Sequence, residues 1–236
     1  MVRIIETAPS ARVSPIKPVY LMRTPDVTIE EKNVARGALE EVLDIAGVGN
    51  RVHVIDFDVW REPNYTNPDG ELVPHKSVDW YVTKWKNRQR GQVNIHDGAT
   101  QLLFDPWVEK NPHYDVIITA EDLYIPDTNF VVGVAHPTRG TIISVRRFRS
   151  VPDRLMQRET IKEETYHEIG HVFDLPKEGR GFAINYSLGS HCTNTCAMRQ
   201  GLYVPHDWVG FVNDRLRTGR TYCEPCAQDL RNYFSK

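Results

Sequence analysis

Four absences narrow what this chain can do. It has no excess of either charge: 29 Lys plus Arg stand against 31 Asp plus Glu in 236 residues, a formal net charge of −2. Near-neutrality gives no support to bulk electrostatic binding of nucleic acid or of an anionic membrane surface. Long apolar runs are missing as well. The opening stretch MVRIIETAPSARVSPIKP is too polar for a secretory signal, and nothing approaches the ~20 apolar residues of a membrane span. A cytoplasmic protein is therefore expected. There is no internal repeat and no low-complexity tract. Cysteine is scarce, with Cys192, Cys196, Cys223 and Cys226 all in the last quarter of the chain. In a reducing compartment the short spacings C-x3-C and C-x2-C favour a metal over two disulfides.

What is present reads as an ordinary globular α/β protein. Hydrophobic residues make up 40% and charged residues 25%, and the length suffices for one domain with a full core or one with a small appendage. PVYLMR (18–23) reads as a buried strand. Thr28 can cap a helix to about Ala46, because Glu31 stands three residues later as in a capping box. Gly47 and Gly49 stop that helix, and RVHVIDFD (51–58) is the next strand. Residues 60–78 read as a long surface loop and 97–110 as a helix. DVIITA (115–120) is a core strand, and NFVVGVA (129–135) and TIISVRRF (141–148) form a strand pair across HPTRG. A helix follows from about Asp153 to Phe173, then loop to Ser190, then a tail closing on a short helix near Gln228–Phe234. The basic runs KWKNRQR (84–90) and RRFRSVPDR (146–154) read as solvated element ends.

The chemistry is concentrated in HEIGHVFDLPK (167–177). His167 and His171 stand at i and i+4, so both imidazoles leave one helix face and can share one ion. Glu168 lies about 100° around the helix and reaches the outer shell of such an ion without ligating it. Zinc brings a water's pKa towards neutrality, and a carboxylate so placed accepts the proton as water attacks a polarised carbonyl. That is the chemistry of amide hydrolysis. In the commonest completed form of the motif, a glycine turn delivers a third ligand ten residues after the first. Here the glycine position holds Asp174, the ligand position holds Lys177, and Pro176 intervenes.

Asp174, Glu178, His191 and His206 are the candidates for the third ligand. Asp174 lies on the right face but two turns along the axis, and Glu178 needs the chain to fold back. His191 directly precedes Cys192, so one short segment can feed two adjacent metal sites, which makes it the choice. Tyr203 could donate to an oxyanion, although packing is the commoner role of such a tyrosine.

The run HEIGH, then SHC, then C-A-M, then CEPC resembles the archaemetzincins, a branch of the metzincin zinc peptidases. The likeness extends upstream over ITAEDLYIPDTNFVVGVA and GTIISVRRF, and more loosely over NRQRGQVNIHDGATQLL, so that it covers roughly residues 87–226. The resemblance implies His167, His171 and His191 as ligands of a catalytic zinc and Glu168 as general base. It makes Met198 a supporting methionine beneath the metal. Cys192, Cys196, Cys223 and Cys226 would hold a second, structural zinc. It also implies an edge strand, including Asn129, Phe130, Val131, Val132 and Gly133, along which an extended peptide adds by backbone hydrogen bonds. Two departures stand out. His191 comes fourteen residues later than the family spacing, because PKEGRGFAINYSLG interrupts the motif, and the first cysteine pair is one residue shorter than the pattern. A loop lengthens at little entropic cost at such a turn.

The resulting expectation is one α/β metallopeptidase domain of zincin type over 1–236. A mixed twisted sheet, mostly parallel, and a long active-site helix fill 1–175. An inserted loop occupies 176–190, and a small four-cysteine zinc-bound part occupies 191–236. The expected function is zinc-dependent peptidase or aminopeptidase activity on short peptides, with two zinc ions per chain, a peptide or protein substrate, and neither nucleic acid nor membrane as partner. Two rivals belong to other classes. One is an inactive two-zinc module that captures a peptide or protein, and the other is a zinc-ribbon-like nucleic-acid module, which the charge balance opposes.

Overall fold

The computed structural model describes residues 14–235 apart from 60–63, 67–71, 75–77, 97–102, 104–111 and 187–188. Strand β1 (Val19–Arg23) leads into helix α1 (Ile29–Ile45) and strand β2 (Val54–Asp58). The capping box at α1 is formed, with the Thr28 hydroxyl accepting from the Glu31 amide at 3.1 Å and the Glu31 carboxylate accepting from the Thr28 amide at 2.8 Å. Between 60 and 78, where loop is expected, short strands β3 (Asn64–Thr66) and β4 (Leu72–Pro74) pair antiparallel, and helix α2 (Val78–Lys84) follows. Strands β5 (Lys86–Asn87) and β6 (Gln92–Asn94) come next. The helix expected over 97–110 lies almost wholly outside the described residues.

The centre of the molecule is β7 (Tyr114–Thr119), followed by β8 (Leu123–Tyr124), β9 (Gly133–His136) and β10 (Gly140–Ser144). The main sheet runs β2-β1-β7-β10-β9. Its first four strands are parallel and β9 is antiparallel at the edge, so the sheet is mixed. Every residue of β7 and β10 is buried, as expected of strands covered on both faces. Alternate side chains serve two cores. Val19, Leu21, Val116, Ile118 and Ile143 join α1, while Tyr20, Met22, Ile117 and Ile142 join Val78, Val82, Leu103 and Leu123 on the other face.

Helix α3 (Arg154–Val172) begins where the Asp153 carboxylate accepts from the Met156 amide at 2.6 Å, and it packs against α1 under the sheet. Beyond it come β11 (Ala183–Tyr186) and β12 (Gly189–Cys192), then α4 (His206–Thr218) and α5 (Glu224–Phe234). Three corrections follow. The 176–190 segment is not simply loop: β11 and β12 form an antiparallel ribbon. Helix α4 is an element the sequence reading did not place. And residues 191–236 are not an appendage, since Met198, Trp208, Tyr222, Cys226, Leu230, Tyr233 and Phe234 all belong to the main core. The basic run at 146–154 is paired: Arg147 bonds both carboxylate oxygens of Asp122, and Arg149 both of Glu31.

Candidate metal centre at the floor of an edge-strand cleft

Helix α3 carries His167 and His171 in its last two turns. Their ring-centroid separation is 4.6 Å, and the Nε2 atoms lie 3.1 Å apart. The helix must end at once for anything else to reach them. It does so at Asp174, whose φ of 65° is left-handed, so the aspartate does the turning that a glycine does in the commoner motif. Aspartate is among the few non-glycine residues that tolerate this conformation. The chain then runs out to β11 and returns on β12, which delivers His191 with its ring 5.2 Å from that of His167 and 5.1 Å from that of His171.

The ligand atoms of these three histidines lie within 4.8 Å of one another. Each Nδ1 faces a backbone carbonyl: His167 that of Ala197 at 2.8 Å, His171 that of Leu175 at 2.8 Å, and His191 that of Gly189 at 3.1 Å. Donation from Nδ1–H to a carbonyl fixes the tautomer with a bare Nε2 turned inwards, as metal-binding imidazoles are commonly held. Burial pushes all three pKa values down, that of His167 to about 3, so the rings stay neutral and able to ligate. Tetrahedral zinc with nitrogens at 2.0–2.1 Å separates them by about 3.3 Å, close to the separation of the first pair. The residues present fit that ion. Asp174 and Glu178 are exposed at the cleft rim and His206 is 90% exposed at the start of α4, and none of them joins the histidine group.

Cys192, beside His191 on β12, sits with Cys196, Cys223 and Cys226 in a second group whose sulfurs also lie within 4.8 Å of one another. All four are free. Cys192 and Cys223 have sulfurs 3.7 Å apart, far beyond a disulfide and near the ~3.8 Å edge of a tetrahedron with 2.3 Å zinc–sulfur bonds. Three N–H groups point at sulfur: the Asn194 amide at Cys192 (3.4 Å), the Asn194 side chain at Cys223 (3.5 Å) and the Cys223 amide at Cys196 (3.3 Å). Sharing protons with the neighbouring thiols pulls Cys192 and Cys223 below the usual thiol range and pushes Cys196 and Cys226 above it. Such a crowd of sulfurs suits a soft divalent ion. Met198 is fully buried beneath α3 at Gly170, where any Cβ would overlap its sulfur.

Glu168 is 6% exposed, and its carboxylate accepts from the Thr141 hydroxyl at 3.4 Å. A Cβ at Gly133 would lie 2.6 Å from its Cγ, Cδ and Oε1, so glycine there leaves room for the carboxyl. Burial and then the neighbouring Glu164 raise its pKa well above the usual range, while burial lifts Glu164 to about 7. Glu164 and Trp208 are site residues that sequence reasoning missed. Glu164 sits one turn before Glu168 and could have been found by its i−4 spacing. For Trp208, whose indole donates to Glu164 at 2.7 Å, no local signal exists.

These groups line the floor of a cleft of about 680 Å³, within the range of small-ligand sites. Its wall is the run Asn129–Pro137. Asn129, Phe130, Val131 and Val132 all line it, but the strand itself begins only at Gly133, later than expected. The Ser144 amide still donates to Val132 at 2.7 Å, but beyond that bond other partners take over: Val131 bridges to Leu123, and Phe130 lies 3.7 Å under the Arg147 guanidinium. Tyr203 is 70% exposed and is not among the lining residues, its amide held by Asp207 at 3.0 Å. Arg180 turns away from the cleft to pair with the buried Asp229 of α5, so it does not plug the site.

Fold and site together define an α/β protein with a three-histidine group and a four-cysteine group suited to metal. Comparison with known proteins points to one family. An archaemetzincin of Nanoarchaeum equitans is 33% identical over 140 residues, 57% of this chain and 62% of that protein. One from Pyrococcus furiosus is 41% identical over 126 residues, 50% of this chain and 54% of that protein. The chain thus spans less than two thirds of the length of the curated relatives it matches. Among solved structures, an archaemetzincin of Methanopyrus kandleri superposes with a TM-score of 0.62 at 21% identity, covering 94% of this chain and 97% of that one. That of Archaeoglobus fulgidus, complexed with malonate, gives 0.55 at 22%, covering 90% and 99%. No family model matches the chain. The chain is archaemetzincin-like in sequence and has the fold of the archaemetzincin structures, and zinc is the metal that this likeness and the two donor groups support. Among the described residues no helix is long and apolar enough to cross a membrane.

Proposed function

We propose that the protein is a zinc-dependent peptidase of metzincin type, with His167, His171 and His191 as ligands of a catalytic zinc and Glu168 as general base. The observation that carries this reading is the convergence of three neutral, inward-turned imidazoles beside a buried glutamate at the floor of a cleft walled by a sheet edge. Bound zinc supplies Lewis acidity there, lowering the pKa of a water and polarising a substrate carbonyl. Glu168 takes the proton from the attacking water and returns it to the departing amine nitrogen. The outer backbone groups of β9 align an extended peptide across the site. Aside from the histidines, the charged lining residues are acids, with Asp174 and Glu178 at the rim, which suits the positive amino end of a short peptide and supports an aminopeptidase. A second, structural zinc is held by the four cysteines, whose reduced state is in keeping with a cytoplasmic location.

The test is a mixed peptide library incubated with wild-type protein and with Glu168→Ala, each assayed for metal. Cleavage by wild type alone, at two zinc per chain in both, is the expected result. If the two treat the library alike, the peptidase reading is lost.

A further inference from the structure

The upstream stretch NRQRGQVN (87–94) has no part in the mechanism above, yet it reaches one end of the cleft wall. Arg90 closes a basic run expected to be solvated, but its guanidinium is engaged. Its Nη2 donates to the carbonyls of Thr128 at 2.9 Å and Asn129 at 3.0 Å. Gln92, 7% exposed on β6, uses both ends of its amide. Its Oε1 accepts from Arg90 Nε at 2.8 Å, and its Nε2 donates to the Asn129 carbonyl and to the Asp122 carboxylate, both at 2.9 Å. Two donors on the Asn129 carbonyl fill its two lone pairs.

These bonds limit what the wall can offer a peptide. The Asn129 carbonyl is taken, the Val131 amide donates to the Leu123 carbonyl at 2.9 Å, and the Val132 carbonyl accepts from the Ser144 amide at 2.7 Å. Backbone addition is available along β9 but is largely spent before it. What remains at Asn129 is its side chain. Asn129 is exposed and lines the cleft, and its side-chain amide makes no hydrogen bond to another described residue. Such an amide carries donors and an acceptor side by side, which complements the C=O and N–H of an extended peptide. The wall also has two distinct ends. At one, the Thr138 amide donates to the Val172 carbonyl at 2.8 Å, which sets that end beside the α3 terminus and Asp174. Asn129 stands at the other, four residues before Gly133 and so about 13 Å of extended chain from the neighbourhood of Glu168.

We propose that Asn129 is a specificity-determining residue whose side-chain amide grips the substrate backbone on the carboxyl side of the scissile bond. Arg90 and Gln92 are positioning residues that hold it there by its carbonyl. The site then favours peptides that extend about four residues past the scissile bond over shorter ones. The peptidase reading, with the amino end at Asp174 and Glu178, sets which side of the scissile bond this is, whereas the contact itself does not depend on turnover.

The experiment uses trialanine, hexaalanine, and hexaalanine with each internal peptide unit in turn replaced by an ester. Zinc-loaded wild type is compared with Asn129→Ala, Asn129→Asp and Arg90→Met. Turnover gives kcat and KM, and calorimetry in the Glu168→Ala background gives affinity without cleavage. Wild type is expected to prefer hexaalanine. Asn129→Ala, and Asn129→Asp which lacks the donor, weaken KM and affinity for hexaalanine by about 3- to 10-fold, the usual worth of one hydrogen bond. Their kcat and their trialanine values stay unchanged. One ester position costs wild type a similar factor and costs Asn129→Ala nothing further. Arg90→Met, at an exposed position, gives a smaller loss that is again confined to hexaalanine. Equal losses on both peptides, or none on hexaalanine, overturn the proposal. So does a wild type with no sensitive ester position, or an ester effect that survives in Asn129→Ala. A wild type that binds hexaalanine without cutting it removes the peptidase reading alone, and the affinities still decide the role of Asn129. Failure to bind either peptide overturns both.

Discussion

Replacing Gly133 by alanine adds one methyl group and should disable the site while leaving the fold standing. The new Cβ would lie 2.6 Å from Cγ, Cδ and Oε1 of Glu168. Carbon contacts settle at about 3.5–4.0 Å, so the carboxyl must retreat by about 1 Å. In most strands the change is harmless, since alanine loses less backbone entropy on folding than glycine. Here the retreat drives Glu168 off its rotamer at about 0.5–1.5 kcal/mol, or ~1–6 °C in Tm for a chain of this size. The kinetic effect is larger. A misplacement of ~1 Å costs on the order of 100-fold in rate, about 2.7 kcal/mol of transition-state stabilisation. No ligand atom moves, so zinc content holds. Peptide turnover, metal analysis and a thermal melt on the same preparation separate these effects. Full turnover in a folded, zinc-loaded Gly133→Ala protein would refute the placement of Glu168 at the reacting centre.

His191→Ala should lower bound zinc from two to one per chain with the fold retained, and metal analysis showing two would mean that another residue completes the site. The pairing of Arg180 with Asp229 ties the metal-site ribbon to α5 from an arginine 44% exposed to a carboxylate at 0%. Arg180→Ala strands that buried carboxylate and should cost about 3 kcal/mol in denaturant unfolding, against about 1 kcal/mol for Asp229→Asn, whose arginine returns to water. The opposite order would sink the argument. The metal-free protein should lose stability on acidification. His167 protonates near 6.5 when unfolded but near 3 when folded, so the unfolded state binds the extra proton between those values and stability falls with pH. Glu164 and Glu168 are shifted upwards and act in the opposite sense above about 4.5, which leaves the histidine effect clearest from there down to about 3. A metal-free His167→Gln protein should show a shallower acid slope over that range, and an unchanged slope would contradict the assignment.

Much of this molecule is legible residue by residue. The Thr28–Glu31 box, the apolar strands β1, β7 and β10, and the helix bearing His167 and His171 follow from interactions within a few residues of each other. The four cysteines announce a metal by type and spacing. Other features were misjudged for a common reason, that their partners are distant in sequence. The strand at 129–135 starts four residues late because Leu123 and Arg147 draw Val131 and Phe130 to other partners. The 176–190 stretch carries few signals of order, yet β11 finds a partner in β12. The C-terminal part reads as an appendage because Trp208, Tyr222, Leu230 and Phe234 are too sparsely spaced to show that they fill the main core.

By itself the sequence determined the donor chemistry: which side chains can ligate, that His167 and His171 share a helix face, and that Glu168 lies beside them, since helix periodicity acts over one or two turns. The sequence singled out His191 as the third member, and the tertiary structure decided the route by which it arrives, out along β11 and back on β12. It also decided that Asp174 turns the chain where glycine is usual, that Gly133 and Thr141 meet the glutamate, and that Trp208 holds Glu164. Those choices depend on packing between segments that meet only after folding, and no local pattern encodes where a ribbon returns or which indole faces which carboxyl.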